Sequence, residues 1–295
     1  MIELLLVSLL WAFSFGLVKG ELVALDPSWV AFCRLVIAAA IFAPLVRWRE
    51  LPRRLVVELA LLGGVQFGLM YATYIAAFQV LKSFEVALLT IFTPLFVVAV
   101  EAMLARSLRW LFLVAAGLAT LGTGLAMRES LVQASPAWTG ILLMQLSNLC
   151  FALGQVWYRR LLAREHGIVD RQVFGVLYVG AALTAALLTL VLGDVEKVAM
   201  TGRQFGVLVY LGAVASGLGF FLWNRGARRV DVGTLAVFND LKIPLATLVS
   251  LLVFGEQANL QDLALGGGLV ILALLAIRAL QRRRSAPPDA PPPTE

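Results

Sequence analysis

The sequence predicts an all-α integral membrane protein with ten transmembrane helices arranged as two inverted five-helix repeats. Of its 295 residues, 61% are hydrophobic and only 14% are charged, and the mean hydropathy is +0.90. Charged residues make up roughly a quarter of an ordinary soluble domain. Apolar runs long enough to cross a hydrocarbon core of about 30 Å, roughly 20 residues each, follow one another along nearly the whole chain. The second half also repeats features of the first.

The apolar runs are joined by short links, which leave no room for an extramembrane domain. The first run has no basic segment before it, so we expect it to remain in the protein and not to be removed as a signal peptide. In chain order the ten predicted spans cover 2–18, 29–46, 55–79, 84–104, 109–127, 138–158, 172–192, 204–224, 232–254 and 262–278.

Basic residues concentrate in alternate links. If the N-terminus is cytoplasmic, seventeen of the 24 Lys and Arg residues lie in inner links and five in outer links, while Arg34 and Lys242 lie within spans. The positive-inside rule therefore predicts a multi-pass protein of a bacterial-type inner (plasma) membrane with both termini in the cytoplasm. The net charge of +6 then reflects topology, so we expect contact with membrane lipid and no nucleic-acid partner.

The two halves can be aligned on their prolines. Pro94 and Pro244 superpose the fourth and ninth spans, and a Gly-rich span follows each. Because each half holds an odd number of spans, the second must enter the membrane in the opposite orientation, as in many secondary transporters. We predict one repeat over 1–130, a second over 138–280, and a disordered Pro-rich tail over 285–295. The alternative is that two sets of hydrophobic helices align around one proline by chance.

Four segments carry a family resemblance: WAFSFGLVK in the first span, WVAFCRLVIAA in the second, FEVALLTIFTPLFV in the fourth and IPLATLVSLLVFGE in the ninth. They resemble the EamA repeat family of the drug/metabolite transporter superfamily over roughly 1–280. In the first half Arg106 stands where the acidic residue matching Glu256 would fall, so the repeat is imperfect there. The resemblance implies ten helices, cytoplasmic termini and a central cavity that moves small metabolites, often amino acids or related compounds, usually outward.

The ninth span carries charges near the bilayer centre. Lys242 lies in the middle of that span, where a charged Lys costs about 2.5–3.5 kcal/mol, so its side chain should face the bundle interior. Asp240 is two positions away, about 200° around the helix, so the two cannot pair directly. Pro244 removes a backbone donor and predicts a helix break there. We predict that Lys242, Asp240 and Asn239 bind substrate; the alternative for the charges is a structural ion pair with a facing helix.

Other spans supply further candidate substrate-binding residues and a second helix break. Pro94 predicts a break in the fourth span, whose Thr90 and Thr93 would face the Lys242 region across the pseudo-two-fold axis. The alternative for the threonines is packing, with their hydroxyls bonded to their own backbone. The aromatic and amide candidates for the cavity wall are Trp11, Tyr71, Tyr74, Gln145 and Asn148.

Two charged residues lie near the outer ends of spans. Glu85 either helps to cap the start of the fourth helix or serves as a gate acid or proton acceptor. Arg34 either snorkels to the outer interface or binds a carboxylate, which a guanidinium recognises with two parallel hydrogen bonds.

No motif for covalent or metal chemistry is present: there is no Walker A loop, no HExxH and no Ser/His constellation. We therefore predict no enzyme, no cofactor and no metal site. The predicted function is secondary-active or facilitative transport of small metabolites, namely amino acids or related carboxylate and amine compounds, outward and by alternating access. Asp240 or Glu85 would either bind the substrate amine or carry a coupling proton. The alternatives are an intramembrane lipid-modifying enzyme, a passive channel and a non-transporting structural membrane protein. The sequence leaves the substrate, the direction, the coupling and the oligomeric state open.

Overall fold

The described part of the chain is a bundle of helices. The computed structural model describes residues 2–104, 110–126, 128, 135–165, 168–230, 232–257 and 259–285, and the regular secondary structure among these residues is helical. Almost all of the predicted tail over 285–295 lies outside the described residues. The long helices are α1 (Ile2–Leu22), α2 (Pro27–Leu45), α3 (Arg53–Ala77), α4 (Ser83–Leu104), α5 (Trp110–Ala126), α6 (Ser135–Arg164), α7 (Asp170–Leu192), α8 (Gly202–Ala227), α9 (Val232–Leu252) and α10 (Leu260–Ser285).

Seven helices of the described residues are long and apolar enough to cross a membrane, namely α1 to α4 and α6 to α8. Leu183, Leu187 and Leu190 on α7 are 66%, 61% and 85% exposed, which is the pattern of a helix face turned toward lipid. The chain is therefore a multi-pass helical membrane protein. α5, α9 and α10 are not among the seven; in α9 the apolar part that is described, Lys242–Leu252, is shorter than a span.

The helices pack in matched pairs. α1 packs on α9 as α4 packs on α6, and α2 packs on α8 as α3 packs on α7. α2 also packs on α7, and α5 on α10. Each contact between two helices thus has a counterpart between the two helices that lie five places earlier or later in the order α1 to α10.

The crossing of α3 and α7 depends on two glycines. Gly63 on α3 lies against the backbone of Leu177 on α7, and Gly180 on α7 lies against the backbone of Ala60 on α3. A Cβ atom at either position would overlap a backbone carbonyl of the facing helix. The two glycines therefore let these helices approach more closely than side chains would permit.

α1 ends in π-helical turns over Val18–Leu22 and α2 ends in a 3-10 turn over Ala43–Leu45, and three further helices depart from regular α-helix in their interiors. α3 widens into π-helical turns over Gly64–Leu69, and α8 does so over Leu211–Leu218. α4 is interrupted at Thr90 and Ile91, where the α-helical parts Ser83–Leu89 and Phe92–Leu104 meet. The interruption begins four residues before Pro94, which has no N–H to donate to the Thr90 carbonyl.

The break predicted at Pro244 is absent from α9. The helix is continuous over Val232–Leu252 with Pro244 inside it. A proline removes a single intrahelical hydrogen bond, and neighbouring groups in a membrane helix can compensate for that loss. The two prolines that align in the sequence thus have different effects on the backbone.

Candidate functional site

A cavity lies where helices of both halves of the chain meet. It contains about 540 Å³ of empty space, its opening included. Most of its wall is aromatic or neutral and polar, and two cationic side chains complete it. The lining residues are Trp11, Ser14, Phe15, Arg34, Met70, Tyr71, Tyr74, Thr90, Thr93, Met144, Ser147, Asn148, Phe151, Phe220 and Lys242.

The Arg34 side chain, on α2, is only 1% exposed and lies in the cavity wall. Its Nε donates to Ser216 Oγ at 3.1 Å, and its Nη2 donates to Tyr71 Oη at 2.9 Å. The guanidinium carbon also lies 4.4 Å from the centroid of the Tyr71 ring. Nη1 is buried and has no hydrogen-bond partner among the described residues. Arg34 therefore does not snorkel to an interface, because neutral hydroxyls hold it inside the bundle.

The π-helical turns of α8 place Ser216 beside Arg34. Wide turns alter the usual backbone hydrogen bonds, and side chains of other helices bind the carbonyls here. Trp11 Nε1 donates to the Ala215 carbonyl at 3.0 Å. The Tyr178 hydroxyl donates to the carbonyls of Ser216 and Gly217, at 2.8 and 2.6 Å. Donors from α1 and α7 thus support the segment that carries the Ser216 hydroxyl.

The Lys242 side chain, on α9, is 5% exposed and also lines the cavity. Its Nζ donates to Asn239 Oδ1 at 2.9 Å and lies 5.3 Å from the centroid of the Trp11 ring. Trp11 packs in turn on Phe220, with ring centroids 5.0 Å apart. The Asp240 side chain lies outside the described part of the structure, so its predicted roles stay predictions.

Asn148 on α6 holds the interrupted part of α4 in place. Its Nδ2 donates to the Leu89 carbonyl at 2.8 Å, and its Oδ1 accepts from Thr93 Oγ1 at 3.0 Å. The Thr90 hydroxyl donates to the Ala87 carbonyl of its own helix at 2.7 Å. The Asn148 amide thus bridges the two sides of the break. The Thr90 hydroxyl binds the backbone of its own helix, which is the alternative that the sequence analysis gave for the threonines.

A carboxylate from the second half caps the start of α4. Glu256 Oε1 accepts from the Ser83 N–H at 2.9 Å, and Oε2 accepts from the Phe84 N–H at 3.3 Å and from the Ser250 hydroxyl. Negative charge is favourable at a helix N-terminus. Lys82, just before α4, donates through Nζ to the Gln257 carbonyl at 3.0 Å. Glu256 and Gln257 therefore join the link between α9 and α10 to the first half of the chain.

Most of the residues predicted for the site come together in the cavity. Asn239 is buried behind Lys242 as its hydrogen-bond partner, and Gln145 is half-buried on α6 but does not line the cavity. Glu85 is buried at the start of α4, where its Oε2 accepts from the Lys82 N–H at 2.8 Å. The predicted residues that do line the cavity are Trp11, Arg34, Tyr71, Tyr74, Thr90, Thr93, Asn148 and Lys242.

Sequence reasoning missed five apolar residues of the wall and one serine. Aromatic and thioether side chains inside a membrane span look the same in a sequence whether they face a cavity, a helix or lipid. Only the polarity of Ser147, which donates to the Met70 carbonyl at 3.1 Å, sets one of them apart. The missed residues are Phe15, Met70, Met144, Ser147, Phe151 and Phe220.

Apolar membrane helices around a central cavity with buried polar and cationic groups define a multi-pass membrane protein that handles a small solute. The family model described as the EamA-like transporter family matches residues 1–128 and 138–279. The chain belongs to this family and is a membrane transporter.

Curated relatives cover nearly the full length of the chain. A protein named probable biotin transporter from Pseudomonas aeruginosa is 41% identical over 283 residues, which are 95% of this chain and 98% of that protein. The biotin transporter of Escherichia coli K12 is 38% identical over 275 residues, 92% of this chain and 90% of that protein. The biotin transporter of Salmonella typhimurium is 35% identical over 286 residues, 96% of this chain and 94% of that protein.

A solved crystal structure shares the arrangement of the helices. It matches with a TM-score of 0.65 at 21% sequence identity, and the match covers 94% of this chain and 98% of that chain. At this identity the likeness concerns the arrangement of the helices alone.

Proposed function

We propose that this chain transports a small metabolite that carries a carboxylate, with biotin as the first candidate. The observation that carries the proposal is the pair of buried cations, Arg34 and Lys242, in a wall that contains no acidic residue among its described lining residues. Such a wall favours an anion over a zwitterion, whose ammonium group needs an acceptor of its own. The names of the relatives direct the choice toward biotin and away from the amino acids that the sequence suggested.

The chemistry of biotin suits this lining. Its carboxylate requires a cation or several N–H donors, and a guanidinium can supply both. Its aliphatic chain and thioether ring can pack on Phe15, Phe151 and Met144. Its ureido group offers N–H donors and a carbonyl acceptor to hydroxyls such as Ser14 and Ser147.

We also propose that all ten helices cross a bacterial inner membrane as two inverted repeats, over 1–130 and 138–280, with cytoplasmic termini. The matched helix contacts and the two matches of the family model support this arrangement. The cavity lies between the repeats, so a rocking motion of one against the other would expose it alternately to each side. Outward transport and a proton-accepting role for Asp240 or Glu85 stay predictions.

The first test is counterflow of labelled biotin in proteoliposomes that contain the purified full-length chain. We expect saturable exchange that unlabelled biotin inhibits and a mixture of amino acids does not. Lys242→Met should lower the exchange rate, since it removes one of the two cavity cations. Lys197→Met, which removes an exposed cation from the link between α7 and α8, should not. A folded wild-type protein that exchanges no biotin would refute the proposed substrate.

A further inference from the structure

We propose that Arg34 is the residue that binds the substrate carboxylate, and that Tyr71, Ser216 and Tyr178 are positioning residues that hold its guanidinium for this role. The assignment rests on the proposed transport of a carboxylate-bearing metabolite and specifies which of the two cavity cations recognises the acid. It gives Lys242 a different part in the site.

The guanidinium of Arg34 has hydrogen-bond partners for two of its three nitrogens. Nε and Nη2 donate to neutral hydroxyls, and Nη1 is buried in the cavity wall without a hydrogen-bond partner among the described residues. Nearly all buried polar groups in folded proteins are hydrogen-bonded, so a buried charged donor of this kind calls for an acceptor. Among the described residues no carboxylate forms a salt bridge with Arg34. A substrate carboxylate in the cavity would supply both the acceptor and the countercharge.

The positioning residues come from both halves of the chain. The Tyr71 hydroxyl, on α3, accepts a hydrogen bond from Arg34 and shares a second one of 3.0 Å with Ser216 Oγ, in which either oxygen can be the donor. Because Arg34 also donates to Ser216, the three side chains form a closed ring of hydrogen bonds. Ser216 lies in the π-helical turns of α8, and the Tyr178 hydroxyl from α7 binds the Ser216 carbonyl. The Tyr71 ring also lies under the guanidinium, which limits its rotation. The direction of Nη1 is therefore determined before substrate arrives.

Lys242 is placed differently. Its ammonium group donates to Asn239 on its own helix and lies over the Trp11 ring, so its contacts are made with the protein. An ammonium group is a compact charge without the planar fork of a guanidinium. Lys242 therefore contributes positive potential to the cavity, while Arg34 makes the directional bonds.

The test compares biotin with its methyl ester, which lacks the negative charge, as competitors of labelled biotin in proteoliposomes. The wild type should prefer the acid. Arg34→Met should raise the KM for biotin by about ten- to a hundredfold, the range for a lost hydrogen bond to a charged group, and should abolish the preference for acid over ester. Lys242→Met is the matched control, because it removes the other cavity cation to the same side chain and should keep the preference.

The positioning residues have a separate readout. Tyr71→Phe, Ser216→Ala and Tyr178→Phe should each raise the KM for biotin several-fold, with the maximal rate near that of the wild type and the inhibition constant of the ester unchanged. A purely structural role would move the values for acid and ester together and would contradict the assignment. If Arg34→Met does not elute as a folded protein, Arg34→Lys replaces it; keeping the charge without the fork should reduce the preference without abolishing it.

The possible failures are distinguishable. A wild type that exchanges no biotin refutes the proposed substrate and the Arg34 assignment with it. A wild type that exchanges biotin, together with an Arg34→Met variant that still prefers the acid, refutes the assignment alone. If Lys242→Met loses the preference for the acid and Arg34→Met keeps it, the Arg34 assignment is refuted and Lys242 is the residue that binds the carboxylate.

Discussion

At the residue scale, Glu256 is a single carboxylate that joins the two halves of the chain. It accepts hydrogen bonds from the N–H groups of Ser83 and Phe84 at the start of α4. Removal of the carboxylate in Glu256→Ala leaves these donors without their acceptor and removes a favourable charge from the helix N-terminus. We expect a loss of about 1–3 kcal/mol in the free energy of unfolding, seen as a lower melting temperature in detergent.

The control for this variant is Glu50→Ala. Glu50 pairs with Arg47 at 3.2 Å on the surface, where both side chains are more than half exposed. Exposed pairs of this kind contribute about 0–1 kcal/mol, so its melting temperature should stay close to that of the wild type. Equal melting temperatures for the two variants would show that Glu256 does not stabilise the start of α4.

At the scale of elements, the crossing of α3 and α7 is sensitive to a single methyl group. In Gly180→Ala the added Cβ overlaps the Ala60 backbone, and backbone atoms cannot move aside as a flexible side chain can. Overpacking in a close-packed interior costs about 1–3 kcal/mol, and we expect at least that here. The melting temperature and the recovery of monodisperse protein should both fall.

Gly206→Ala in α8 is the matched control for the crossing. Nothing lies within 4 Å of the position its Cβ would take. Since Ala favours a helix over Gly by about 1 kcal/mol, this variant should be as stable as the wild type or more stable. If Gly180→Ala has the same melting temperature and recovery as Gly206→Ala, then α3 and α7 do not approach as closely as the structure places them.

Features set by neighbouring residues in the chain could be predicted from the sequence, and features set by contacts between distant helices could not. Long apolar runs predict spans well because a membrane admits only helices or closed barrels, and the predicted span 84–104 begins one residue from α4. The break near Pro94 follows from proline chemistry, which is local. The π-helical turns of α8 could not be predicted, because their carbonyls are held by Trp11 and Tyr178 from other helices. For the same reason sequence reasoning left Arg34 between two roles: its hydroxyl partners Tyr71 and Ser216 lie 37 and 182 positions away.

At the scale of the whole molecule, contacts between loops bear on the orientation of the second half. The link between α1 and α2 meets the link between α7 and α8: the Asp26 N–H donates to the Lys197 carbonyl at 3.0 Å, and Asp26 Oδ2 accepts from the Asp194 N–H at 3.1 Å. Two links in contact lie on the same side of the bundle. The link between α2 and α3 lies at the other end of α2, so it and the link between α7 and α8 should lie on opposite sides of the membrane.

This relation provides a direct test of inverted repeats, because the α2–α3 and α7–α8 links occupy equivalent places in the two halves. We would introduce single cysteines as Arg49→Cys and Glu196→Cys after replacing Cys33 and Cys150, the free cysteines of the described residues, by alanine. The excess of basic residues in the α2–α3 link predicts that it is cytoplasmic. A membrane-impermeant maleimide should therefore label Glu196→Cys from outside the membrane and Arg49→Cys only after lysis. Labelling of both from one side would show parallel repeats, and labelling of Arg49→Cys alone from outside would reverse the termini while preserving the inversion.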